Sequence, residues 1–126
     1  MKVLLDTHTF LWAVTDEWRL SANVRRLLGS AELWWSVASV WEAITKVQIG
    51  KLSLPEPSGA FLTSELASNG VRILPITLDH VLRLESLPLY HRDPFDRMLV
   101  AQSIEEGWPI VTADPHFKSY PAHVLW

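Results

Sequence analysis

Four carboxylates stand where apolar segments meet helix-start signals, and together they could bind a divalent cation. They are Asp6, Glu42, Asp96 and Asp114. The apolar runs 3–5, 33–40 and 110–112 precede three of them, and Asp96 lies in the first turn of the helix that Asp93-Pro94 opens. In a parallel α/β sheet, strand ends and helix N-termini share one edge, where ligands bind. Acids gathered there repel one another unless a cation lies between them, and oxygen ligands favour Mg²⁺ or Mn²⁺.

The elements that must position these acids alternate between short apolar runs and segments of helical period. This pattern is typical of a three-layer α/β domain, with a mainly parallel sheet of four to five strands flanked by helices. Strands are predicted over 3–5, 33–36, 71–74 and 110–112, with a terminal edge strand at 124–125. Helices are predicted from Asp6 or Thr7, from Ser21 to Gly29, over 38–49 and 60–68, from Thr77, and from Pro94 to Gly107. Residues 1–126 are expected to form a single domain.

Composition excludes several classes of protein. The absence of cysteine rules out disulfides, thiolate zinc sites and cysteine nucleophiles. No stretch approaches the roughly 20 apolar residues of a membrane span, and the N-terminus reaches Asp6 too early for a signal peptide. We therefore expect a cytoplasmic protein with no membrane partner. The net charge of −3 argues against a simple electrostatic nucleic-acid binder, but not against an enzyme that meets phosphate through a bound cation.

Each acid also has a structural explanation. Asp6, Asp93 and Asp114 suit helix N-caps, an acid at position 96 complements the helix dipole, and Glu42 can pair with Lys46 one turn on. Capping accounts least well for Glu42, which follows a tryptophan. All four acids lie in apolar surroundings on one predicted sheet edge, where perturbed pKa values are expected. Taken together they favour a functional cluster.

Polar neighbours of the acids are candidates for supporting roles. The hydroxyls of Thr7 and Thr112 could orient a ligating carboxylate, although capping and strand packing explain them equally well. His8 could donate a hydrogen bond to a carboxylate or to substrate. No pair of histidines has metal-ligand spacing, so all five are interpreted as structural or surface groups rather than ligands.

Seven tryptophans are more than a core of this size needs. On a strand, Trp34 and Trp35 must point to opposite faces, so at least one is expected outside the main core or under a covering helix. Because contiguous exposed apolar area marks interfaces, Trp12, Trp18 and one of this pair are candidates for a partner surface.

Four segments of the sequence carry a resemblance that spans nearly the whole chain. They are Leu4-Leu5-Asp6-Thr7-His8, Ser39-Val40-Trp41-Glu42-Ala43, residues 91–102 and Val111-Thr112-Ala113-Asp114. The run from Asp93 to Gln102 is the most specific. In these segments the chain resembles PIN-domain proteins, and specifically the VapC-type toxins of bacterial toxin–antitoxin pairs.

The resemblance implies a function. The family's acidic quartet maps onto the four acids above, and Asp93 matches a further acid that serves as a cap or supports the ligands. Such proteins are Mg²⁺- or Mn²⁺-dependent ribonucleases that form homodimers. A co-encoded VapB-type antitoxin, whose C-terminal segment enters the active-site groove, neutralises them. The basic residues close to these segments could then hold flanking RNA phosphates; they are Lys46, Lys51, Arg92 and Arg97.

Two alternatives stay open from sequence. One is a catalytically inactive PIN fold that acts as a binding module, against which the intact quartet argues. The other is a phosphorelay receiver-like domain with an acidic Mg²⁺ pocket. Receivers have adjacent acids after the first strand and a lysine after a late strand. Here Thr7-His8 follows Asp6, and no lysine follows Val111 until Lys118.

Overall fold

A computed structural model describes residues 1–126 and shows a five-stranded sheet between two layers of helices. The strands are β1 (Lys2–Leu5), β2 (Glu32–Ser36), β3 (Arg72–Leu74), β4 (Ile110–Val111) and β5 (Val124–Leu125). Their order across the sheet is β3-β2-β1-β4-β5, and every neighbouring pair is parallel. This confirms the predicted α/β class and the terminal edge strand.

Six α-helices connect and cover the strands. They are α1 (Thr7–Thr15), α2 (Ala22–Leu28), α3 (Val37–Gln48), α4 (Ser58–Ser68), α5 (Leu78–Arg83) and α6 (Pro94–Glu106). Short 3₁₀ turns occupy Glu17–Arg19, Leu84–Ser86 and Pro115–Ser119. Helix α6 ends at Gly107, whose φ of 71° is a left-handed conformation that glycine adopts without a Cβ clash. No helix combines the length and the apolar character needed to cross a membrane.

Two predicted helix starts need correction: α4 begins at Ser58, two residues before the predicted start, and α3 begins one residue before it. Helix α3 begins at Val37, immediately after β2, because the Ser36 hydroxyl caps it by accepting the Ala38 N–H at 2.9 Å. Glu42 therefore lies in the second turn of α3, and the apolar run 33–40 belongs partly to the strand and partly to the helix. The acid still reaches the sheet edge, but from the side of a helix.

The central strand is buried on both faces, which separates two cores. Val3 and Leu5 pack with side chains of α1, α2 and α4, whereas Leu4 packs with side chains of α6. Trp35 is fully buried in the first core, and its neighbour Trp34 is half-buried beside the second. This confirms that the two tryptophan rings point to opposite faces.

The strand order creates a crevice at one point of the sheet. From β1 the chain builds outward through β2 and β3, and later returns to place β4 on the other side of β1. Ligands bind at such a switch point, outside the carboxyl ends of the strands. The receiver-like alternative is wrong, because receivers have the order 2-1-3-4-5 and this sheet does not.

Candidate functional site

Asp6 is fixed at the end of β1 by hydrogen bonds from two directions. As the N-cap of α1, it accepts the Thr9 N–H at 2.7 Å through Oδ1. Its Oδ2 accepts the hydroxyl hydrogen of Thr112, which follows β4. Burial raises the pKa of Asp6, and these donors only partly oppose that rise. The carboxylate is therefore held in one position at the crevice.

The Thr112 hydroxyl joins two of the acids. While it donates to Asp6, it accepts the backbone N–H of Asp114 at 3.0 Å. Thr112 is buried, so both bonds are sheltered from water. The two acids at the ends of adjacent strands are thus set relative to each other by one side chain.

Glu42 is the most deeply buried of the four acids, with 2% of its surface exposed. Its Oε2 accepts a hydrogen bond from Lys46 at 2.5 Å, but Oε1 is buried without any partner. An unpaired buried carboxylate oxygen is costly. A cation at the crevice would satisfy this oxygen, so the residues present fit a hard divalent ion.

Asp96 has the most perturbed acidity in the site. Asp93 caps α6 by accepting the N–H groups of Phe95 and Asp96, and this places Asp96 in the first turn. Burial, as the largest cause, and the negative charges of Asp93, Glu42, Asp6 and Asp114, in that order, together raise the pKa of Asp96 to about 8. These charges converge at Asp96, so near neutral pH it requires a proton or a cation beside it.

Asp114 behaves differently because it has donors of its own. It caps the turn that follows β4, and Oδ1 accepts from both the backbone N–H and the ring Nδ1 of His116, each at 2.9 Å. Burial acts to raise the pKa of Asp114, but these bonds and the nearby charges of His116 and His91 hold it below its ordinary value. Asp114 is therefore the acid most readily ionised.

Two histidines, His91 and His116, lie beside the acids, and the interpretation of all five as structural or surface groups rather than ligands stays a prediction. His91 Nε2 lies 3.1 Å from Asp96 Oδ2 and 3.7 Å from Asp114 Oδ2. Together His91, Asp114 and His116 offer possible ligand atoms within 4.8 Å of one another. Both rings reach the acids from irregular segments, so no helical or strand periodicity in the sequence predicted their position. The only cue was that each lies two residues from a capping acid.

The other predicted supporting residues are divided between the site and the scaffold. Thr7 donates to the Ser39 hydroxyl at 2.9 Å, which ties α1 to α3 beside the acids. Lys46 reaches Glu42, as described above. His8 is exposed beside Trp12, and no hydrogen bond joins it to a carboxylate. Arg92 is exposed in the loop before α6.

Arg97 has a structural contact that the sequence did not predict. Its guanidinium donates to the backbone carbonyls of Leu84 and Leu87, at 3.3 and 3.1 Å. It thereby holds the loop that leads to His91 against α6. Both bonds use Nη2, so Arg97 has a structural role here, and its contact with substrate phosphate stays a prediction. Lys51 is exposed, as its alternative interpretation as solvated surface charge expects.

An apolar groove lies along α3, the helix that carries Glu42. Trp41 is 62% exposed, and it packs edge-on against Phe95 of α6 with 4.9 Å between ring centroids. The groove beside it runs between α3 and α4 and is lined by Val37, Val40, Ile44, Leu62, Leu66 and Ile73. Of the tryptophans proposed from sequence, Trp18 is exposed and Trp12 is half-buried against Trp126. The exposed tryptophan closest in sequence to a site acid is Trp41, which sequence reasoning did not select.

The chain is similar to known proteins over nearly its whole length. Residues 3–122 match the PIN domain family. The chain is 32% identical over 120 residues to Ribonuclease VapC22 of Mycobacterium tuberculosis, a match that covers 94% of this chain and 91% of that protein.

Solved structures share the fold at lower identity. One is VapBC2 from Rickettsia felis, bound to a promoter DNA fragment, with a TM-score of 0.75, 17% identity and coverage of 100% of this chain and 99% of that one. Another is FitAcB from Neisseria gonorrhoeae, with a TM-score of 0.70, 18% identity and coverage of 98% and 96%. Given the family match and the close relative, both spanning nearly all of its length, this chain belongs to the PIN-domain family and to its VapC-type branch.

Proposed function

We propose that this protein is a Mg²⁺- or Mn²⁺-dependent endoribonuclease that acts as the toxin of a toxin–antitoxin pair. One observation carries the proposal: Asp96 has a pKa raised to about 8 by burial and by the negative charges of Asp93, Glu42, Asp6 and Asp114. The 32% identical relative is a ribonuclease, which supports RNA as the substrate class. The unpartnered Glu42 Oε1 supports a bound ion.

The four acids would divide the work of holding the ion and activating water. Asp6 and Asp96 are the main ligands in this proposal, with Glu42 and Asp114 completing the site. When bound, the ion supplies Lewis-acid chemistry and offsets the charge that develops on the phosphate. A carboxylate oxygen left free, on Glu42 or on Asp114 Oδ2, accepts the proton of the attacking water.

Basic groups at the site would position the RNA. Lys46 is partly exposed while it contacts Glu42, and Arg92 is exposed in the loop that precedes α6. Contacts to flanking phosphates set register and orientation without reading sequence. With a net charge of −3, the chain has few other means of attracting RNA.

A cleavage assay tests the enzyme against the inactive binding module. Purified protein should cleave at least one structured RNA in a panel when Mn²⁺ is present, and EDTA should stop the reaction. Asp114→Ala should lower the rate by ~100-fold or more, because a ligand and a candidate base are lost together. The exposed Asp79→Ala is the matched control and should retain activity. Full activity in Asp114→Ala, or binding of Mn²⁺ without cleavage of any RNA, would contradict the proposal.

We also propose that the groove beside Trp41 receives a segment of a VapB-type antitoxin. It is apolar and leads toward the acids, since Trp41 contacts Phe95, the neighbour of Asp96. The acid cluster would attract a basic side chain at the end of such a segment. The homodimer implied by the family needs a separate surface, and α5 exposes Leu78, Val81 and Leu82 at helical spacing.

Two matched tryptophan variants test the antitoxin surface. Trp41→Ala should weaken antitoxin binding by an amount on the order of 2 kcal/mol, as for a buried aromatic hot spot. Trp18→Ala removes a similarly exposed ring elsewhere and should bind normally. Calorimetric titration measures affinity, and chemical denaturation of the toxin alone controls for folding. If Trp18→Ala weakens antitoxin binding and Trp41→Ala does not, the antitoxin binds the surface near Trp18 that the sequence predicted.

A further inference from the structure

A single ring contacts acids that come from two different elements. His91 lies in the loop before α6, and its Nε2 is 3.1 Å from Asp96 Oδ2 and 3.7 Å from Asp114 Oδ2. Asp96 belongs to the first turn of α6, whereas Asp114 follows β4. His91 is the one basic side chain within ion-pair distance of Asp96. A substitution of His91 therefore changes the surroundings of both carboxylates.

The hydrogen bonding of His91 places its proton on the side that faces the acids. Its Nδ1 accepts the backbone N–H of Asp93 at 3.1 Å. A ring nitrogen that accepts a hydrogen bond presents its lone pair, so the proton of the neutral imidazole is on Nε2. The group near the two carboxylates is thus a donor. In this tautomer His91 cannot ligate a metal through Nε2, but it can support a carboxylate that does.

The ring is held in place from behind. The backbone N–H of His91 donates to the hydroxyl of Tyr120 at 2.8 Å, and Tyr120 is buried. The His91 ring also packs edge-on against His116 and Phe117, with centroid distances of 5.4 and 6.3 Å. These contacts come from the segment after Asp114, so the loop before α6 and the turn after β4 are fixed to each other.

We propose that His91 is a positioning residue that orients the carboxylates of Asp96 and Asp114 for cation binding, an inference that rests on the metal-dependent function proposed above. Its Nε2 lies close to an oxygen of each acid, so the N–H it carries could support either carboxylate as a ligand. Partners that support ligands in this way typically contribute 10–100-fold to metal affinity or activity.

Two substitutions separate positioning from packing. His91→Gln keeps an N–H donor near the position of Nε2 but loses the ring, whereas His91→Phe keeps a ring against Phe117 but loses the donor. Mn²⁺ affinity, measured by calorimetry and electron paramagnetic resonance, should fall about 10–100-fold in His91→Phe and recover most of that loss in His91→Gln. Chemical denaturation in EDTA should show that His91→Phe is more stable than His91→Gln, because the ring packing is kept. His123→Phe, at an exposed histidine away from the acids, should match the wild type.

The outcomes distinguish this inference from the proposed function. If His91→Phe binds Mn²⁺ as the wild type does, or if His91→Gln loses more affinity than His91→Phe, the ring acts only in packing and the inference is overturned. Mn²⁺ affinity is measured without RNA, so a wild type that binds Mn²⁺ but cleaves nothing contradicts the ribonuclease alone. A wild type that binds no Mn²⁺ overturns both.

Discussion

The two walls of the acidic crevice are built in different ways. The inner wall, formed by Asp6, Thr112 and Glu42, is buried, and regular elements set its geometry. In the outer wall, formed by His91, Asp96, Asp114 and His116, the side chains are 19% to 71% exposed and short local turns hold them. Neutral hydroxyl and amide donors satisfy Asp6, whereas histidines accompany the outer acids.

The two walls differ in how their acids are held. Hydrogen bonds from uncharged groups hold the inner Asp6 in place. The outer acids lie beside histidines, and Asp96 has a pKa raised to about 8. We therefore expect the charge of Asp96 in the outer wall to oppose folding until a cation arrives.

The largest effect that would test this contrast is on the pH dependence of stability without metal. Because the folded pKa of Asp96 lies above its unfolded value, the native state binds the extra proton, and stability is lost as pH rises from about 4 toward 8. One such proton contributes at most roughly 1.4 kcal/mol per pH unit. The measured slope should be smaller, because solvent screens this half-buried group. Asp96→Asn should flatten the slope and be more stable than the wild type at pH 8.

Chemical denaturation in EDTA at pH 5 and pH 8 provides the measurement. The exposed Asp79→Asn makes the same chemical change away from the crevice, and should keep the wild-type slope. Adding Mn²⁺ should reduce the difference between the wild type and Asp96→Asn at pH 8, because an ion bound only by the folded state stabilises it. If the free energy of unfolding depends on pH in Asp96→Asn as it does in the wild type, the charge of Asp96 does not oppose folding.

A smaller effect, of opposite sign, is expected on the inner wall. Thr112→Val keeps the shape of the side chain but removes both the donor to Asp6 and the acceptor for the Asp114 N–H. Leaving a buried carboxylate oxygen unpaired should destabilise the protein by about 1–3 kcal/mol at pH 7. Thr112→Ser keeps the hydroxyl and should lose less. Equal losses in both variants would assign the effect to the methyl group and its packing.

The acids that follow strands could be placed from the sequence because local patterns determine their positions. A buried strand followed by a capping acid placed Asp6 at the sheet edge, and the same logic placed Asp114 after β4. The parallel sheet brings those two ends together without further information. Glu42 was placed inside its helix, as observed, although α3 begins one residue earlier than predicted because no loop residue separates it from β2.

The outer wall could be predicted only in part. The Asp93-Pro94 signal identified the start of α6 and therefore Asp96. His91 and His116 were missed because they reach the acids through irregular turns, whose conformation depends on tertiary contacts such as the bond from His91 to Tyr120. The contacts of Arg97 were missed for the same reason. The two carbonyls that accept its hydrogen bonds belong to a 3₁₀ turn and a loop, which the hydrophobic periodicity of the sequence does not predict.

The raised pKa of Asp96 has a consequence for which inactivating mutations selection should favour. If the chain inhibits growth, cells that express it are under selection to inactivate it, and most inactivating substitutions in a protein also damage its fold. Loss of the Asp96 charge should silence the enzyme while relieving repulsion in the crevice. Inactive variants with a substitution at Asp96 should therefore accumulate as folded protein that still binds the antitoxin. Such an allele would free the toxin made by any intact copy in the same cell.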